Sequence, residues 1–294
     1  MNVYVTGAGT MPEDHFQRAA QPRIHDALLG GCDAYEVDRA VVRRLLAVAP
    51  DLPAVLTAAQ QRGRVAVARI ARVGIGQFLD LGCGYPSRAA TTYFTVRRVT
   101  PTARVVYVDR DPVVVAHARA HLAQPGCATV FHGDVRRIDE VLTAAPVRAL
   151  DHTQPIAVIL HDVLPWVSDE AATAAMATVR DWAPAGSAIS LTHAAADFAP
   201  EVMAEVVAVY ARAGITYRPR AVGEVKALLG SWSPLSPGVV PVVPEAAGRG
   251  VPLRDLPRVY TALALAPQRE SPARWPQPPS AAGPARAYAR PMTP

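Results

Sequence analysis

Short apolar runs separated by stretches of helical spacing constrain this chain more than any other feature of its sequence. The runs are Gln77–Leu81, Arg104–Asp109, Cys127–Phe131, Pro155–Leu160 and Ser187–Thr192. Amphipathic segments fall between them at Ser87–Val99, Pro112–Leu122, Arg137–Ala144 and Asp169–Trp182. Strands apolar along their whole length are buried on both faces, and their alternation with helices signifies parallel βαβ units. Such units cross over right-handedly and leave their ligand at the carboxyl ends of the strands. A further helix, Pro200–Ala213, and an edge-closing strand, Val259–Ala266, complete the expectation of an α/β fold built on a Rossmann-like, mostly parallel, doubly wound sheet.

The region ahead of the first strand reads as helical. Leu28-Leu29-Gly30-Gly31 ends one short helix, since glycine is the usual helix stop. Tyr35–Ala49 follows, with Val37, Val41, Leu45 and Val48 on one stripe, and Pro50 closes it. A third helix, Ala54–Arg72, carries Leu56, Val65, Val67 and Ile70 as apolar anchors. An exposed apolar stripe on these helices could make a homodimer.

The formal charge of +5 suggests nucleic acid, but its location does not. The segment from Pro267 onward holds Arg269, Arg274, Arg286 and Arg290 against Glu270, so much of the excess lies in a tail rich in Pro, Ala and Ser. That composition is expected to be disordered. Lys226 is the sole lysine among thirty basic residues, and no basic motif carries interleaved aromatics, so no nucleic-acid partner is expected. No apolar run is long enough to span a membrane. Residues 1–16 have neither a basic start nor an apolar h-region, and Cys32, Cys83 and Cys127 show no metal-like pairing. Free thiols and the lack of a visible leader place the chain in the cytoplasm as an expectation, without a metal.

The chemistry concentrates at the strand ends. Asp80-Leu81-Gly82-Cys83-Gly84 closes the first strand, where glycines let backbone approach a ligand closely. Asp109 ends the second strand, placed to accept hydrogen bonds from both ribose hydroxyls of an adenosine. Asp134, in Gly133-Asp134-Val135 beyond the third, can accept from an adenine amino group. A nicotinamide site also uses a glycine turn and a ribose acid, but Ser87 stands at its third glycine and Asp80 would face a pyrophosphate. A carboxylate there suits a cationic ligand such as a sulfonium amino acid. The stretch Val5-Thr6-Gly7-Ala8-Gly9-Thr10 imitates a dehydrogenase start, yet Met11-Pro12 breaks the helix that should follow.

These residues resemble a known family. The stretches 23–31 (RIHDALLGG), 74–82 (GIGQFLDLG), 103–112 (ARVVYVDRDP), Thr192-His193-Ala194 and Ser236-Pro237-Gly238-Val239-Val240 are similar to the bacterial S-adenosyl methyltransferase family long catalogued as a domain of unknown function. The resemblance covers Arg23 to Val243 and implies a class I methyltransferase core under a helical N-terminal cap. The implied organisation is a flexible segment 1–21, a cap 22–73, a core 74–266 that binds S-adenosyl-L-methionine, and the tail 267–294. Asp80, Gly82 and Gly84 would then hold the methionine end, Asp109 the ribose and Asp134 the adenine, with Arg110 and Val135 also cofactor-binding. Gly30 and Gly31 would lie in the cap segment near the cofactor. The chain departs from the family at His25, usually tyrosine, at Cys32 and Ala34, and at His161-Asp162-Val163-Leu164-Pro165, usually apolar.

Methyl transfer from a sulfonium needs alignment above all, and some acceptors also need a base. His161, after the fourth strand, is expected to be that base or to position the acceptor, with Asp162 orienting it. His193 is a second candidate, while Trp166, Tyr35 and Trp232 could line the acceptor's pocket and Cys83 lacks an adjacent base. The expected function is methyl transfer to a small-molecule acceptor in specialised metabolism. The alternatives are a non-methyl-transfer enzyme that binds S-adenosylmethionine, and a regulatory protein that binds it without turnover.

Overall fold

The computed structural model describes residues 16–86, 91–243 and 259–267. The expected dehydrogenase-like start at Val5–Thr10, most of the N-terminal segment and nearly all of the tail lie outside those residues. In chain order the elements are α1 (Gln21–Leu28), α2 (Glu36–Val48), α3 (Leu52–Arg72), β1 (Gln77–Leu81), α4 (Thr92–Arg97), β2 (Arg104–Asp109), α5 (Pro112–Leu122), β3 (Ala128–His132), α6 (Ile138–Thr143) and α7 (Ala145–Arg148). There follow β4 (Ala157–His161), α8 (Asp169–Trp182), β5 (Ala188–Ala194), α9 (Pro200–Arg212), α10 (Val222–Leu229), β6 (Ser233–Pro234), β7 (Val240–Val242) and β8 (Val259–Leu265).

The strands form one sheet in the order β3-β2-β1-β4-β5-β8-β6, with β7 also on β8. β1 to β5 pair in parallel, whereas β8 runs antiparallel to β5, β6 and β7. The chain therefore winds outward twice from β1, and the direction reverses between β1 and β4. That switch point opens a crevice at the carboxyl ends of the strands. The register brings those ends level: Leu81 lies beside Val108, and Asp109 beside His132.

Burial explains why the strands were legible. Every residue of β1 and β5 is buried, as expected for strands covered on both faces. One face packs Leu79, Val106, Val158 and Leu191 against α6, α8 and α10, and the other packs Phe78, Val105, Tyr107 and Ile159 against α3, α4 and α5. α5 starts sharply because Asp111 accepts from the Val113 and Val114 amides, with Pro112 at the first helical position. The expected helix from Ser87 is described only from Thr92, because residues 87–90 lie outside the described set. Expectation had not included α7, α10, β6 and β7; β6 and β7 are two and three residues long, too short for any period to register.

The N-terminal helices share a core with α9 and the Trp166 segment. Ile24, Leu28, Val41, Leu45 and Leu56 pack with Trp166, Val206, Val209 and Tyr210. The apolar stripe on α2 is thus turned inward onto α9. The large apolar side chains left exposed among the described residues are Phe16, Tyr35, Val65, Phe94 and Val243, scattered along the chain.

A buried ion pair fixes α1 to α2. Arg23 Nε donates to Asp38 Oδ2 at 2.6 Å, with both side chains excluded from solvent. The Asp38 carboxylate also accepts from the Ala20 amide at 2.8 Å and the Tyr35 amide at 2.8 Å, so one side chain ties three segments together. Removing one partner of such a pair strands the other charge in the interior. Asp38→Ala is expected to cost about 3–5 kcal/mol by thermal or denaturant unfolding. Replacing Arg23 and Asp38 together with Met and Leu should cost clearly less than that single change.

Candidate functional site

A cavity of about 540 Å³ opens at the carboxyl ends of β1 to β4, under α1 and α3. Asp80, Gly82, Gly84, Asp109, Arg110, Asp134, Val135, His161 and Asp162 line it, as do Gly30 and Gly31. The sequence had separated these residues by more than a hundred positions, and the parallel register gathers them.

The glycine turn after β1 is built as its residue types require. Gly82 and Gly84 hold φ of 72° and 64°, in the left-handed region that side chains resist. A Cβ on Gly82 would also lie 2.7 Å from Val163 Cγ2. The Gly82 and Cys83 amides both donate to the Val108 carbonyl, at 2.7 and 3.1 Å, which laces the turn to β2. The Gly84 amide donates to Asp109 Oδ2 at 3.0 Å, and the Asp111 amide to Asp109 Oδ1 at 2.9 Å. Each Asp109 oxygen is thereby held by one backbone donor, and each keeps a lone pair for a ligand. Burial pushes the Asp109 pKa upward.

Asp80 is buried below the turn, and Thr92 Oγ1 donates to its Oδ2 at 2.6 Å. Burial raises the Asp80 pKa to about 6, the Thr92 hydrogen bond opposing and the Asp109 charge adding to the rise. Cys83 shares this dry setting; burial lifts its thiol pKa well above the ordinary value, so a nucleophilic thiolate is disfavoured. Asp134 is differently placed. Burial raises its pKa, but the Arg136 guanidinium and amide outweigh it and leave the carboxyl below its ordinary value. Arg136 Nε donates at 3.0 and 2.9 Å to the two Asp134 oxygens, Arg136 Nη2 pairs with Oδ2, and the Arg136 amide donates to Oδ1 at 2.9 Å. A ligand amino group would have to share an acceptor that Arg136 already fills.

The expected acceptor end needs correction. His161 is the last residue of β4, and Asp162 begins the next segment with φ of 55°. Ser190 Oγ on β5, not Asp162, meets the His161 ring, at 2.8 Å from Nε2. The other edge of the ring packs on α3, where a Cβ on Gly63 would lie 2.6 Å from His161 Nδ1. Burial lowers the His161 pKa to about 4, too low for an efficient base near neutrality. Asp162 instead faces α1, its Oδ2 lying 3.3 Å from His25 Nδ1.

His193 is wholly buried, with Nδ1 on the Ala194 carbonyl and Nε2 taking a hydrogen bond from Arg220 Nη1. Arg220 also donates to the Leu164 and Val167 carbonyls and to Asp169, so these two side chains hold the wall segment that carries Trp166. Trp166 lines the cavity, whereas Trp232 is buried in the main core and Tyr35 is exposed beside Phe16. His25, Gly63, Ser190 and Arg220 were not foreseen; only His25, just ahead of the Gly30-Gly31 pair, carried any sequence signal.

The charges of the wall decide which ligand fits. Asp26, Asp33, Asp80, Asp109, Asp134 and Asp162 face the cavity, and Arg110 is the one arginine or lysine among the described residues that line it. A dry carboxylate such as Asp80 is stabilised by a cation and opposed by a phosphate. The residues fit a sulfonium amino acid joined to an adenosine and do not fit a dinucleotide.

A parallel sheet of this order with acid-tipped strands around a glycine turn defines a Rossmann-like methyltransferase. The chain belongs to the S-adenosyl methyltransferase family, whose family model matches residues 11–263. It is a methyltransferase that uses S-adenosyl-L-methionine and requires a methyl acceptor. A DUF574-family protein from Streptomyces avermitilis MA-4680 is 30% identical with a TM-score of 0.79, covering 86% of this chain and 99% of its own. A candidate methyltransferase from Thermobifida fusca YX is 29% identical with a TM-score of 0.78, covering 87% and 98%. The ribosomal RNA small subunit methyltransferase H of Sorangium cellulosum is 36% identical over 90 residues, which is 30% of this chain and 27% of that enzyme.

The contact between α3 and His161 generates a test. Gly63→Ala is expected to cost about 1–3 kcal/mol by denaturant unfolding, because the added methyl drives the ring from Ser190. Adding His161→Ala to Gly63→Ala should remove most of that penalty in a double-mutant cycle.

Proposed function

We propose that the cavity under the N-terminal helices holds S-adenosylmethionine with its methyl group turned toward a small-molecule acceptor. The single observation that carries this reading is the gathering of Asp80, Asp109 and Asp134 around one cavity beside the Gly82–Gly84 turn, each stepped two residues further along the parallel register than the one before. In this reading Asp80 faces the ammonium of the methionine end, with Gly82 and Gly84 giving close backbone approach. Asp109, fixed by two amides, takes the ribose hydroxyls beside Arg110. Asp134 and Val135 border the adenine, and Gly30 with Gly31 forms the cap loop over the methionine end.

Bound there, the cofactor supplies an electrophilic methyl group on an already activated leaving group. The protein's contribution is alignment and exclusion of water. α1 and α3 cover the crevice, and the network of His193 and Arg220 fixes the Leu164–Trp166 segment as the opposite wall. His161, neutral at pH 7 and held by Ser190, forms an uncharged surface there, while Asp162 supplies the charge. The wall's excess of carboxylates favours a small acceptor over a phosphate-rich nucleic acid. No helix among the described residues is long and apolar enough to cross a membrane. The free thiols Cys32, Cys83 and Cys127 suit a reducing cytoplasm.

Calorimetric titration with S-adenosylmethionine tests the assignment. Asp109→Ala should weaken binding at least tenfold, and NAD should not compete; equal binding by wild type and variant refutes the ribose role. Because Asp80 titrates near pH 6, only its ionised form attracts the cofactor's positive charge. Affinity should rise about tenfold from pH 5 to pH 7, and Asp80→Asn should flatten the rise. Without ligand the sign reverses. The folded state binds the Asp80 proton more tightly than the unfolded chain, so this group's contribution to stability falls as pH rises from about 4 to 6.

A further inference from the structure

The acceptor end of the cavity carries a pair that the cofactor assignment leaves unused. His25 projects from α1 and Asp162 follows β4, their Nδ1 and Oδ2 atoms 3.3 Å apart across the cavity wall. Asp162 Oδ2 is buried and, at that separation, lacks a hydrogen-bond partner. The Asp162 backbone is fixed elsewhere: its amide donates to the Thr192 carbonyl at 3.1 Å, and its own carbonyl accepts from Trp166 Nε1 at 2.6 Å. A left-handed φ of 55° turns the carboxylate away from the His161 side. A buried carboxylate oxygen held in strained backbone without a donor is disfavoured unless a ligand supplies one.

The surrounding charge narrows the ligand. Asp26 on α1 and Asp33 in the loop after it line the same cavity, and burial raises the Asp26 pKa. The cavity's arginine, Arg110, follows β2 on the other side of the glycine turn from Asp162. A carboxylate or phosphorylated acceptor would meet only negative charge at this end. A cationic acceptor would meet Asp162, the cap carboxylates and the Trp166 indole, a surface suited to an ammonium group.

We propose that His25 and Asp162 form the acceptor subsite and that it recognises an amine, bound as its ammonium ion; this rests on the reading of the cavity as the S-adenosylmethionine site. The ammonium donates to Asp162 Oδ2 and to His25 Nε2. Before nitrogen can act as a nucleophile it must lose a proton, which passes to His25 Nε2, and Asp162 stabilises the resulting imidazolium. The freed lone pair forms the nitrogen–carbon bond as the methyl–sulfur bond breaks, and the bonding pair stays on sulfur. The products are a methylated ammonium and neutral S-adenosylhomocysteine, and the His25 proton returns to solvent. The other titratable groups around this pair are Asp26 beside His25, His193, Tyr210 and Tyr217 near Asp162, and Asp80 deeper in the cavity.

The test uses three probes of similar shape and different charge on full-length protein saturated with S-adenosylhomocysteine. They are phenethylamine, 2-phenylethanol and phenylacetate, titrated by calorimetry. The amine should bind at least tenfold more tightly than the acid and measurably more tightly than the alcohol. Asp162→Asn, which keeps a residue tolerant of left-handed backbone, should reduce the preference over the acid about tenfold and leave S-adenosylhomocysteine binding unchanged. His25→Ala should weaken amine binding at constant pH, because the ammonium loses one of its two acceptors. Equal or tighter binding of the alcohol or acid, no amine binding, or a preference unchanged in Asp162→Asn overturns the proposal. Failure to saturate with S-adenosylhomocysteine overturns the cofactor reading instead.

Discussion

The level alignment of parallel strand ends is the constraint on which the site depends. β1, β2 and β3 are locked by their ladders so that Asp80, Asp109 and the Gly133-Asp134 turn arrive at one edge. Asp109 then does two jobs. It accepts from Gly84 and Asp111, fixing the glycine turn to the start of α5, and its remaining lone pairs face the cavity. A slip of one residue in that register would turn the strand-end carboxylates to the opposite face of the sheet. The buried carboxylates are held at a cost to the ligand-free protein, consistent with raised pKa values at Asp80 and Asp109. A cationic ligand offsets that cost, which links the energetics of the fold to the charge of what it binds.

The opposite wall is specified by a second set of buried polar groups. Arg220 gathers the carbonyls of Leu164 and Val167, and His193 accepts from it while bonding the Ala194 carbonyl. This network satisfies main-chain groups that a loop after β4 would otherwise leave unpaired. Trp166 is presented from that loop and packs against Tyr210 and Tyr217, which joins the wall to the helices over the crevice. The N-terminal helices, the Trp166 segment and α9 consequently share one apolar cluster.

The core of the fold was legible in the sequence because β1, β2, β4 and β5 are buried on both faces and their composition shows it directly. Boundaries moved by a residue or two, as at β3 and β4, since strand ends depend on ladder partners. The convergence of the glycine turn and the strand-end acids on one cavity was equally legible, because such residues occupy fixed places in a parallel sheet. The acceptor end was not. His161 and Asp162 are adjacent in sequence, which suggested a pair, but successive side chains at a strand end diverge to opposite sides. Their true neighbours, Ser190 on β5, Gly63 on α3 and His25 on α1, come from three other elements, and no local pattern encodes such convergence. Asp134 shows the same limit: its position was readable, its capture by Arg136 was not.

The most direct measurement is a crystal structure of the protein with S-adenosylhomocysteine. The expected result is the ribose hydroxyls on Asp109, the amino group over Asp80 and the Gly82–Gly84 turn, and the sulfur facing the side of the cavity that carries His25 and Asp162. A ligand bound outside this cavity, or in reverse with its adenine against β4, would contradict the account at its centre.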